Sequence, residues 1–364
     1  MPLWSVILLN ALMTGLILLT FAFFHHVLPA FISEMERREA LMQTEAPTEM
    51  PSEPIVLQTE LPTEITQTEE QETVEITTET TESTEPAEST EPPKELTPWQ
   101  IKFAEHFSQE VIQTENSYKS PNVSVTIETV TIGEGANKQV YHVADIYIAS
   151  MENFTTYTAD GEIRYFGSQN VLEMVKASNA LLAIGGDFLT YQKGGFLVRN
   201  GEIYKETTNN VSICALFPDG TIETYDKKAY DIEDIKSRGA IQVWSFGPVL
   251  LDENGKVRDE YDMPSAVSYT NPRSAIGYYE PGHYCFVVVD GRQNGYSKGM
   301  SIPELAAVFE ELGCTKAYNL DGGGSAVMTF NQKRYSKQSN GGDRELGDIL
   351  LIRENPDFPV VPTE

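Results

Sequence analysis

The chain has 364 residues, with 54 Asp and Glu against 26 Lys and Arg, which gives a formal net charge of −28. No basic patch balances this acidity, so the composition argues against nucleic acid as a partner. The composition is uneven along the chain and divides it into a membrane anchor over residues 1–32, a stalk over 33–98, a globular domain over 99–355 and a tail over 356–364.

The apolar run from Leu3 to Phe24 contains no charged residue. As a helix it is about 33 Å long, enough to cross a bilayer core of roughly 30 Å. We expect an uncleaved signal anchor. A cleaved signal peptide is the alternative, disfavoured because no Lys or Arg precedes the run and because the run exceeds a usual signal-peptide core.

The orientation of this anchor is a separate question. Arg37 and Arg38 follow the apolar run and on their own favour a cytoplasmic position for the rest of the chain. Two arginines are a weak bias against a long translocated domain. We therefore expect the globular domain to be extracellular, on a single-pass protein of the cell membrane.

The segment from Thr44 to Pro98 consists mainly of Thr, Glu and Pro. Its 15 Glu and one Lys give it a net charge of −14, half of the charge of the whole chain. Low hydrophobicity with high net charge leaves too little burial to offset chain entropy, which predicts a disordered spacer. A long acidic stalk of this kind suits a monomer that projects from a surface.

From residue 99 onward the sequence predicts an α+β domain with a mixed β-sheet core and a few helices. Apolar and polar residues alternate over 122–148 around a Gly-rich turn, which predicts a half-buried hairpin. A helix is expected over 169–177, and a buried strand over 181–184 runs into Gly185, Gly186 and Asp187. Further strands are predicted at 195–206, 211–217 and 241–251.

Residues 284–321 have the pattern of a β-α-β unit: an apolar strand, an amphipathic helix and a second strand. Ser301 and Glu304 form a capping box at the start of the helix, and Gly313 marks its end. A helical crossover predicts that the two strands run in the same direction within one sheet. Separately, Cys214, Cys285 and Cys314 lack metal-site spacing, so we expect buried free thiols.

Three carboxylates follow predicted strands directly and stand beside glycines: Asp187, Asp290 and Asp321. Each Asp-Gly pair alone indicates no more than a turn. Cations share the same segments, at Arg273, Arg292, Lys298 and Arg344. Because the planar fork of arginine can donate two parallel hydrogen bonds to a phosphate, this grouping indicates a site for a phosphorylated ligand.

These segments carry a family resemblance. In chain order they are AIGGDF (183–188), SFGPVL (245–250), NPRSAIG (271–277), VVVDGRQNGYSKGMSIPELA (287–306), YNLDGGGSAVM (318–328) and SNGGDR (339–344). Together they resemble the phosphodiester glycosidase family over roughly residues 120–353. Two positions depart from the family pattern, since Gly185 stands where Asn is usual and Ala326 where Ser or Thr is common.

The resemblance implies an enzyme that hydrolyses the bond between the anomeric carbon of a sugar and a phosphodiester, as in GlcNAc-1-phosphodiesters. It implies an active site lined by Asp187, Arg273, Asp290, Arg292, Asn319, Asp321, Gly323, Ser325 and Arg344. The expected partner is a sugar phosphate or a surface glycan such as an exopolysaccharide, with no cofactor.

The chemistry of the expected reaction suggests separate roles for these residues. The departing phosphate is already a stabilised anion, so cationic clamping matters more than acid assistance. We assign the phosphate to Arg273, Arg292 and Lys298, and the anomeric carbon to Asp321 or Asp187. Asp290 is expected to orient the arginines. The amides of Gly322, Gly323 and Gly324, with Ser325, would hold the departing oxygens or sugar hydroxyls.

Two other functions remain open from the sequence. A metal-dependent phosphodiesterase is disfavoured because His106, His142 and His283 do not form a usual metal-site spacing, although a calcium or magnesium site made by the three aspartates stays open. A non-catalytic glycan-binding or exopolysaccharide-assembly protein is the other alternative. The Gly185 departure favours it, whereas the retained charged residues disfavour it.

Overall fold

The computed structural model describes residues 96–161, 167–189, 194–207, 210–263, 265–339 and 344–354. The predicted anchor, the stalk up to residue 95, residue 355 and the predicted tail over 356–364 lie outside the described residues. Within the described ranges, no helix combines the length and the apolar character needed to cross a membrane.

The described strands form three sheets, and every pairing between them is antiparallel. The first sheet has seven strands, in the spatial order β1 (Ile112–Gln113), β2 (Ser117–Lys119), β3 (Val123–Ile132), β4 (Gln139–Ile148), β13 (His283–Val289), β12 (Arg273–Glu280) and β14 (Lys316–Asn319).

The second sheet has five strands, in the order β10 (Ile222–Tyr225), β9 (Ile213–Leu216), β11 (Gln242–Ser245), β7 (Phe196–Arg199) and β8 (Glu202–Glu206). The third also has five, in the order β16 (Lys333–Arg334), β15 (Met328–Phe330), β6 (Leu182–Gly185), β17 (Asp348–Ile352) and β5 (Phe154–Thr158).

In the part of the chain that the structure describes, five short α-helices accompany the sheets: α1 (Pro98–Lys102), α2 (Val171–Ala177), α3 (Ile232–Ser237), α4 (Ser265–Ser268) and α5 (Ile302–Glu311). The predicted α+β class with few helices is therefore confirmed. The helix predicted over 169–177 is α2, and the segment predicted as one strand over 195–206 is a hairpin of β7 and β8.

The main core lies between the three sheets and draws its buried apolar side chains from all of them. Phe154, on β5 of the third sheet, shows how they meet. Its ring is 6.1 Å from that of Trp244 on the second sheet, and 5.4 and 5.6 Å from those of Tyr284 and Phe286 on the first. Aromatic packing at such distances contributes beyond the area it buries, so these rings fix the mutual position of the sheets.

The predicted hairpin is confirmed as β3 and β4, but β4 is more buried than expected. Its residues are almost all buried, because one face joins the main core and the other packs under α5. Helix α5 places Ile302, Leu305 and Phe309 on that second face, at helical spacing. The sequence did not predict that both faces of β4 are covered, because the helix comes from a distant part of the chain.

The β-α-β unit is confirmed, but another strand of the sheet lies between its two strands. Strand β12 lies between β13 and β14 and is antiparallel to both, so these two strands run in the same direction without touching. Ser301 and Glu304 form the expected capping box. The thiols of Cys214, Cys285 and Cys314 are free and buried, as predicted.

The capping box offers a test of this local reading. Ser301→Ala removes the hydroxyl that accepts the amide of Glu304, so the free energy of unfolding should fall by about 1 kcal/mol. Ser301→Gly should cost only a few tenths of a kcal/mol, because glycine is tolerated at this position. Urea denaturation of the two variants beside the parent measures both values, and equal losses would contradict a side-chain cap.

Candidate active site

The site forms where strands of the first sheet begin and end. Asp290 and Asp321 follow the C-terminal ends of β13 and β14, whereas Arg273 opens β12, which runs the opposite way between them. A cleft of about 580 Å³ lies at this edge. Its described walls carry a carboxylate, two aromatic rings and three guanidinium groups, from Asp321, Phe188, Phe246, Arg273, Arg292 and Arg344.

Asp321 is the carboxylate of this cleft, and its side chain is 13% exposed. Its Oδ1 accepts the amide of Gly322 at 2.9 Å, and its Oδ2 accepts Ser325 Oγ at 2.8 Å and Arg344 Nη1 at 3.0 Å. Burial raises the pKa of Asp321, and nearby Asp187 adds to the rise against the opposing effect of these three donors. The result is a shielded carboxylate that is more basic than an ordinary aspartate.

Arg273 also lines the cleft and is held rigidly. It is 3% exposed, and its Nε and Nη2 donate to the backbone carbonyls of Met300, Val267 and Tyr269. These bonds involve Nε and Nη2, which leaves Nη1 for a ligand. Burial, followed by the charge of Arg292, lowers the pKa of Arg273 to about 10, so it remains a cation at neutral pH.

Arg292 and Arg344 complete the cationic wall from two loops. Arg292 Nη2 donates to Asn271 Oδ1 at 2.8 Å. Its guanidinium lies over Gly323, where an added Cβ would come within 3.1 Å of Nη2. Gly323 also has a φ of +66°, which favours glycine. The glycine at position 323 thus leaves room for the Arg292 guanidinium in the cleft.

The glycine turn does not form the anion nest that the sequence suggested at Gly322 and Gly323. The Gly322 amide donates to Asp321, and the Gly323 amide donates to the carbonyl of Pro272 at 2.9 Å. Both donors are taken within the protein, so they are not available to a ligand. Ser325 is 1% exposed, and its hydroxyl bonds Asp321 and Arg344.

Asp187 lies behind the cleft rather than in its wall. Its side chain is fully buried, with Oδ2 accepting the amide of Ser245 at 2.8 Å and lying 2.9 Å from Arg199 Nη2. Arg199 Nε in turn donates to Asp348 Oδ2 at 2.9 Å. Asp187 is therefore not placed to touch a substrate at the anomeric carbon, which was one of the two sequence assignments.

Asp290 also has partners other than those expected. His142 Nε2 lies 3.0 Å from its Oδ2, which also accepts Tyr296 Oη at 2.9 Å, and its Oδ1 accepts the amide of Lys337 at 3.0 Å. No arginine of the described residues contacts it. The assignment of Asp290 as the group that orients the arginines is corrected for this reason.

Two predicted substrate contacts fall outside the cleft wall. Asn319 is fully buried and its Nδ2 donates to the carbonyl of Gly247, so it supports the chain beneath the site. Lys298 lines a neighbouring hollow and its Nζ lies 3.3 Å from Glu304 Oε1. Of the SNGGDR motif, residues 340–343 lie outside the described residues.

The sequence analysis missed three residues that build the site: Asn271, Arg199 and Asp348. Arg199 is a single cation in the otherwise apolar strand β7, and Asp348 opens the apolar strand β17. A charged residue that is isolated in a buried strand signals a paired charge. The isolated charges of Arg199 and Asp348 were visible in the sequence, but the sequence did not show which residues they pair with.

The arrangement defines a site for an anionic ligand, with three cations facing one shielded carboxylate. Residues 178–353 of the chain match the family model described as phosphodiester glycosidase. This match confirms the resemblance seen in the sequence. Residues 178–353 therefore form a domain that resembles the hydrolase domain of the phosphodiester glycosidase family.

Two individual proteins show the range of the similarity. The SPbeta prophage-derived uncharacterized protein YomE of Bacillus subtilis strain 168 is 29% identical over 197 residues, a match that covers 52% of this chain and 30% of YomE. The catalytic domain of zebrafish N-acetylglucosamine-1-phosphodiester alpha-N-acetylglucosaminidase, auto-inhibited by its pro-peptide, has a similar fold. The TM-score is 0.53 at 19% identity, over 68% of this chain and 88% of that one.

The departure at Gly185 has a packing reason in this chain. A Cβ at Gly185 would lie 2.3 Å from the carbonyl oxygen of Ser325, in the turn that follows Asp321. Both Gly185→Ala and Gly185→Asn should therefore lower the free energy of unfolding, by roughly 1–3 kcal/mol. Thermal and urea denaturation measure the loss. An alanine variant as stable as the parent would show that the close approach is unimportant.

The buried ion cluster predicts a pH dependence of stability. Burial raises the pKa of Asp348 from 3.8 to about 7, because Asp187 adds to the rise and Arg199 only partly opposes it. The folded chain thus binds this proton more tightly than the unfolded chain, so its contribution to stability falls as the pH rises from about 4 to 7. Asp348→Asn should flatten the free energy of unfolding across this window.

Urea denaturation at a series of pH values gives the comparison. Asp259→Asn, at an exposed aspartate, is the matched control and should keep the slope of the parent. If the curves of Asp348→Asn and the parent run parallel between pH 4 and 7, Asp348 does not carry the raised pKa.

Proposed function

We propose that the chain hydrolyses the glycosidic bond of a sugar 1-phosphodiester, of the GlcNAc-1-phosphodiester type, in surface or extracellular glycoconjugates. The observation that carries this proposal is the convergence of Arg273, Arg292 and Arg344 on the cleft that contains Asp321. The match of residues 178–353 to the phosphodiester glycosidase model supports this reaction class. The charges of the cleft favour a substrate with a phosphate close to the scissile bond.

The arginines act on the phosphate. A phosphodiester becomes a phosphate monoester when its bond to the anomeric carbon breaks, and negative charge then develops on the departing oxygen. Fixed guanidinium groups stabilise this charge without reorganisation. Arg273 is the most rigid of the three, because backbone carbonyls hold two of its nitrogens. Arg292 lies beside it and reaches the same anion.

Asp321 acts at the anomeric carbon. Ser325 and Arg344 fix one of its oxygens, and the Gly322 amide fixes the other. The described cleft wall holds this one carboxylate, whereas an ordinary glycosidase uses a pair. A single carboxylate suits a leaving group that departs as a stabilised anion and needs no proton. Asp187, behind the wall, supports the basicity of Asp321 through its charge.

The binding-only alternative loses its best argument. It rested on Gly185, where the family usually has asparagine, as a sign of a lost substrate contact. The close approach of Gly185 to the Ser325 carbonyl gives the glycine a structural reason that does not depend on substrate. The structure therefore offers no specific observation that favours binding without turnover.

We also propose that the catalytic domain is extracellular and anchored to the membrane by the apolar segment Leu3 to Phe24. The support is the composition of the sequence alone: 22 residues without a charge, followed by an acidic Thr/Glu/Pro-rich stalk. A substrate in the surface layer suits this arrangement, because a spacer gives the domain reach. We assign no cofactor to the reaction.

The proposal is tested by hydrolysis of an N-acetylglucosamine-α-1-phosphodiester by the full chain, with chelator present or absent. Free sugar and an intact phosphomonoester are expected, at equal rates in both conditions. Asp321→Asn should lower kcat at least 100-fold, the scale of a lost general base or nucleophile, while the exposed-site control Asp259→Asn stays within twofold.

Each other outcome has a definite meaning. A phosphorylated sugar as product places the attack at phosphorus, and loss of activity with chelator indicates a metal-dependent phosphodiesterase. Saturable binding without turnover by the parent protein would contradict the proposed hydrolysis.

A further inference from the structure

A second hollow adjoins the cleft and shares Arg292 with it. It measures about 440 Å³ and lies between the β3–β4 turn and the loop that follows β13. Its lining contains Tyr296 and three cations, Lys138, Arg292 and Lys298, and a fourth cation, Lys337, lies over the Tyr296 ring. We call these four cations the basic strip. A cationic surface of this density is notable on a chain whose net charge is −28.

Tyr296 organises the basic strip. The Nζ of Lys337 lies 3.9 Å from the centre of its ring, and the Nζ of Lys138 lies 5.8 Å from it. The Tyr296 hydroxyl donates to Asp290, which also accepts the amide of Lys337. The buried carboxylate of Asp290 thus positions both the aromatic ring and the segment that carries one of the lysines.

Little negative charge offsets these lysines. Lys298 has Glu304 as a partner at 3.3 Å. Neither Lys138 nor Lys337 forms an ion pair with a carboxylate of the described residues; each is held against the face of Tyr296. Cations held at a ring face keep their hydrogen-bond donors available for an anion.

The other hollow that shares residues with the cleft has a different charge. Past Phe246 and Val267 the surface continues into a hollow that contains the ion pair of Lys227 and Asp262. The next hollow has a mixed lining, in which five carboxylates stand beside three cations, Lys227, Lys228 and Arg258. The hollow of the basic strip has no carboxylate among its described lining residues, so a polyanion that extends from the cleft is attracted more strongly to the strip than to this mixed surface.

We propose that the basic strip is a subsite for a second phosphodiester, so that the substrate is a glycan with repeating phosphodiester links rather than a small sugar phosphodiester. One phosphate lies among the arginines of the cleft, and the next phosphate along the polymer lies on the strip. Arg292 belongs to both surfaces and joins them. This inference rests on the proposed function and names the substrate class for the same site.

The test compares two synthetic substrates of α-linked N-acetylglucosamine 1-phosphate units, with one or with three phosphodiester links. The variant is Lys138→Gln/Lys337→Gln in the full chain. We expect the ratio of kcat/KM for the longer over the shorter substrate to exceed one in the parent and to fall roughly 10-fold in the variant, as expected for two exposed charge contacts. The ratio in the parent should also fall with added salt.

Lys176→Gln/Lys333→Gln is the matched control, because it removes the same charge at two exposed lysines outside the strip. Its ratio should equal that of the parent. An unchanged ratio in the strip variant overturns the proposal, and so does an equal fall in the control, which would indicate an effect of net charge alone.

A binding measurement separates this inference from the proposed hydrolysis. A non-hydrolysable phosphonate analogue of the three-link substrate is titrated by calorimetry against the parent and both double variants. Weaker binding by the strip variant alone supports the subsite even if no substrate is hydrolysed. Equal binding by all three proteins overturns it, whether or not hydrolysis is observed.

Discussion

The buried guanidinium of Arg199, set between Asp187 and Asp348, is the interaction on which the rest of the site depends. It ties β7 of the second sheet to β17 and to the end of β6 in the third. Burial alone would lower its pKa, but the two carboxylates outweigh this effect and raise it, so the cation persists. Because removal of one partner from such a cluster leaves a charge buried alone, at a cost of about 3–5 kcal/mol, the geometry tolerates little variation.

This cluster contains two carboxylates and one guanidinium, so the formal negative charge exceeds the positive charge. Asp187 Oδ1 and Asp348 Oδ1 are buried and have no hydrogen-bond partner among the described residues. A proton retained by Asp348 relieves the surplus, in accord with its raised pKa. The same charges act on Asp321 across a short stretch of backbone, since the Asp321 amide donates to the carbonyl of Gly186. Stability of the sheet junction and basicity of the cleft carboxylate are thus coupled.

The sequence predicted the local parts of this structure and failed on the contacts between sheets. The β3–β4 hairpin, helix α5 and its Ser301 cap follow from periodicity and short-range chemistry, so they were readable. Asp290 and Asn319 were placed correctly at or near strand ends, but their partners lie on segments far away in the chain. Strand position fixes where a side chain starts, whereas its contacts depend on how separate elements pack.

Gly185 is a second position whose role depends on a contact with a distant segment and could not be predicted from the sequence. Comparison with a family pattern made it look like a lost polar group, because a sequence shows a missing side chain and not the space that it would occupy. Once β6 packs against the turn after Asp321, the Ser325 carbonyl fills that space. Glycine at position 185 is therefore what allows the end of β6 to pack closely against the turn that follows Asp321.

The segment DGRQNGYSKGM, which the sequence presented as one motif, serves two surfaces in the fold. Arg292 turns towards the cleft with a φ of +58°, an uncommon backbone conformation for arginine. Tyr296 and Lys298 line the neighbouring hollow. Asp290, first in the motif, supports that second surface through Tyr296 rather than through the arginines. A cluster of polar residues in one loop therefore does not have to converge on one ligand atom; here its geometry suits a substrate that extends past the scissile bond.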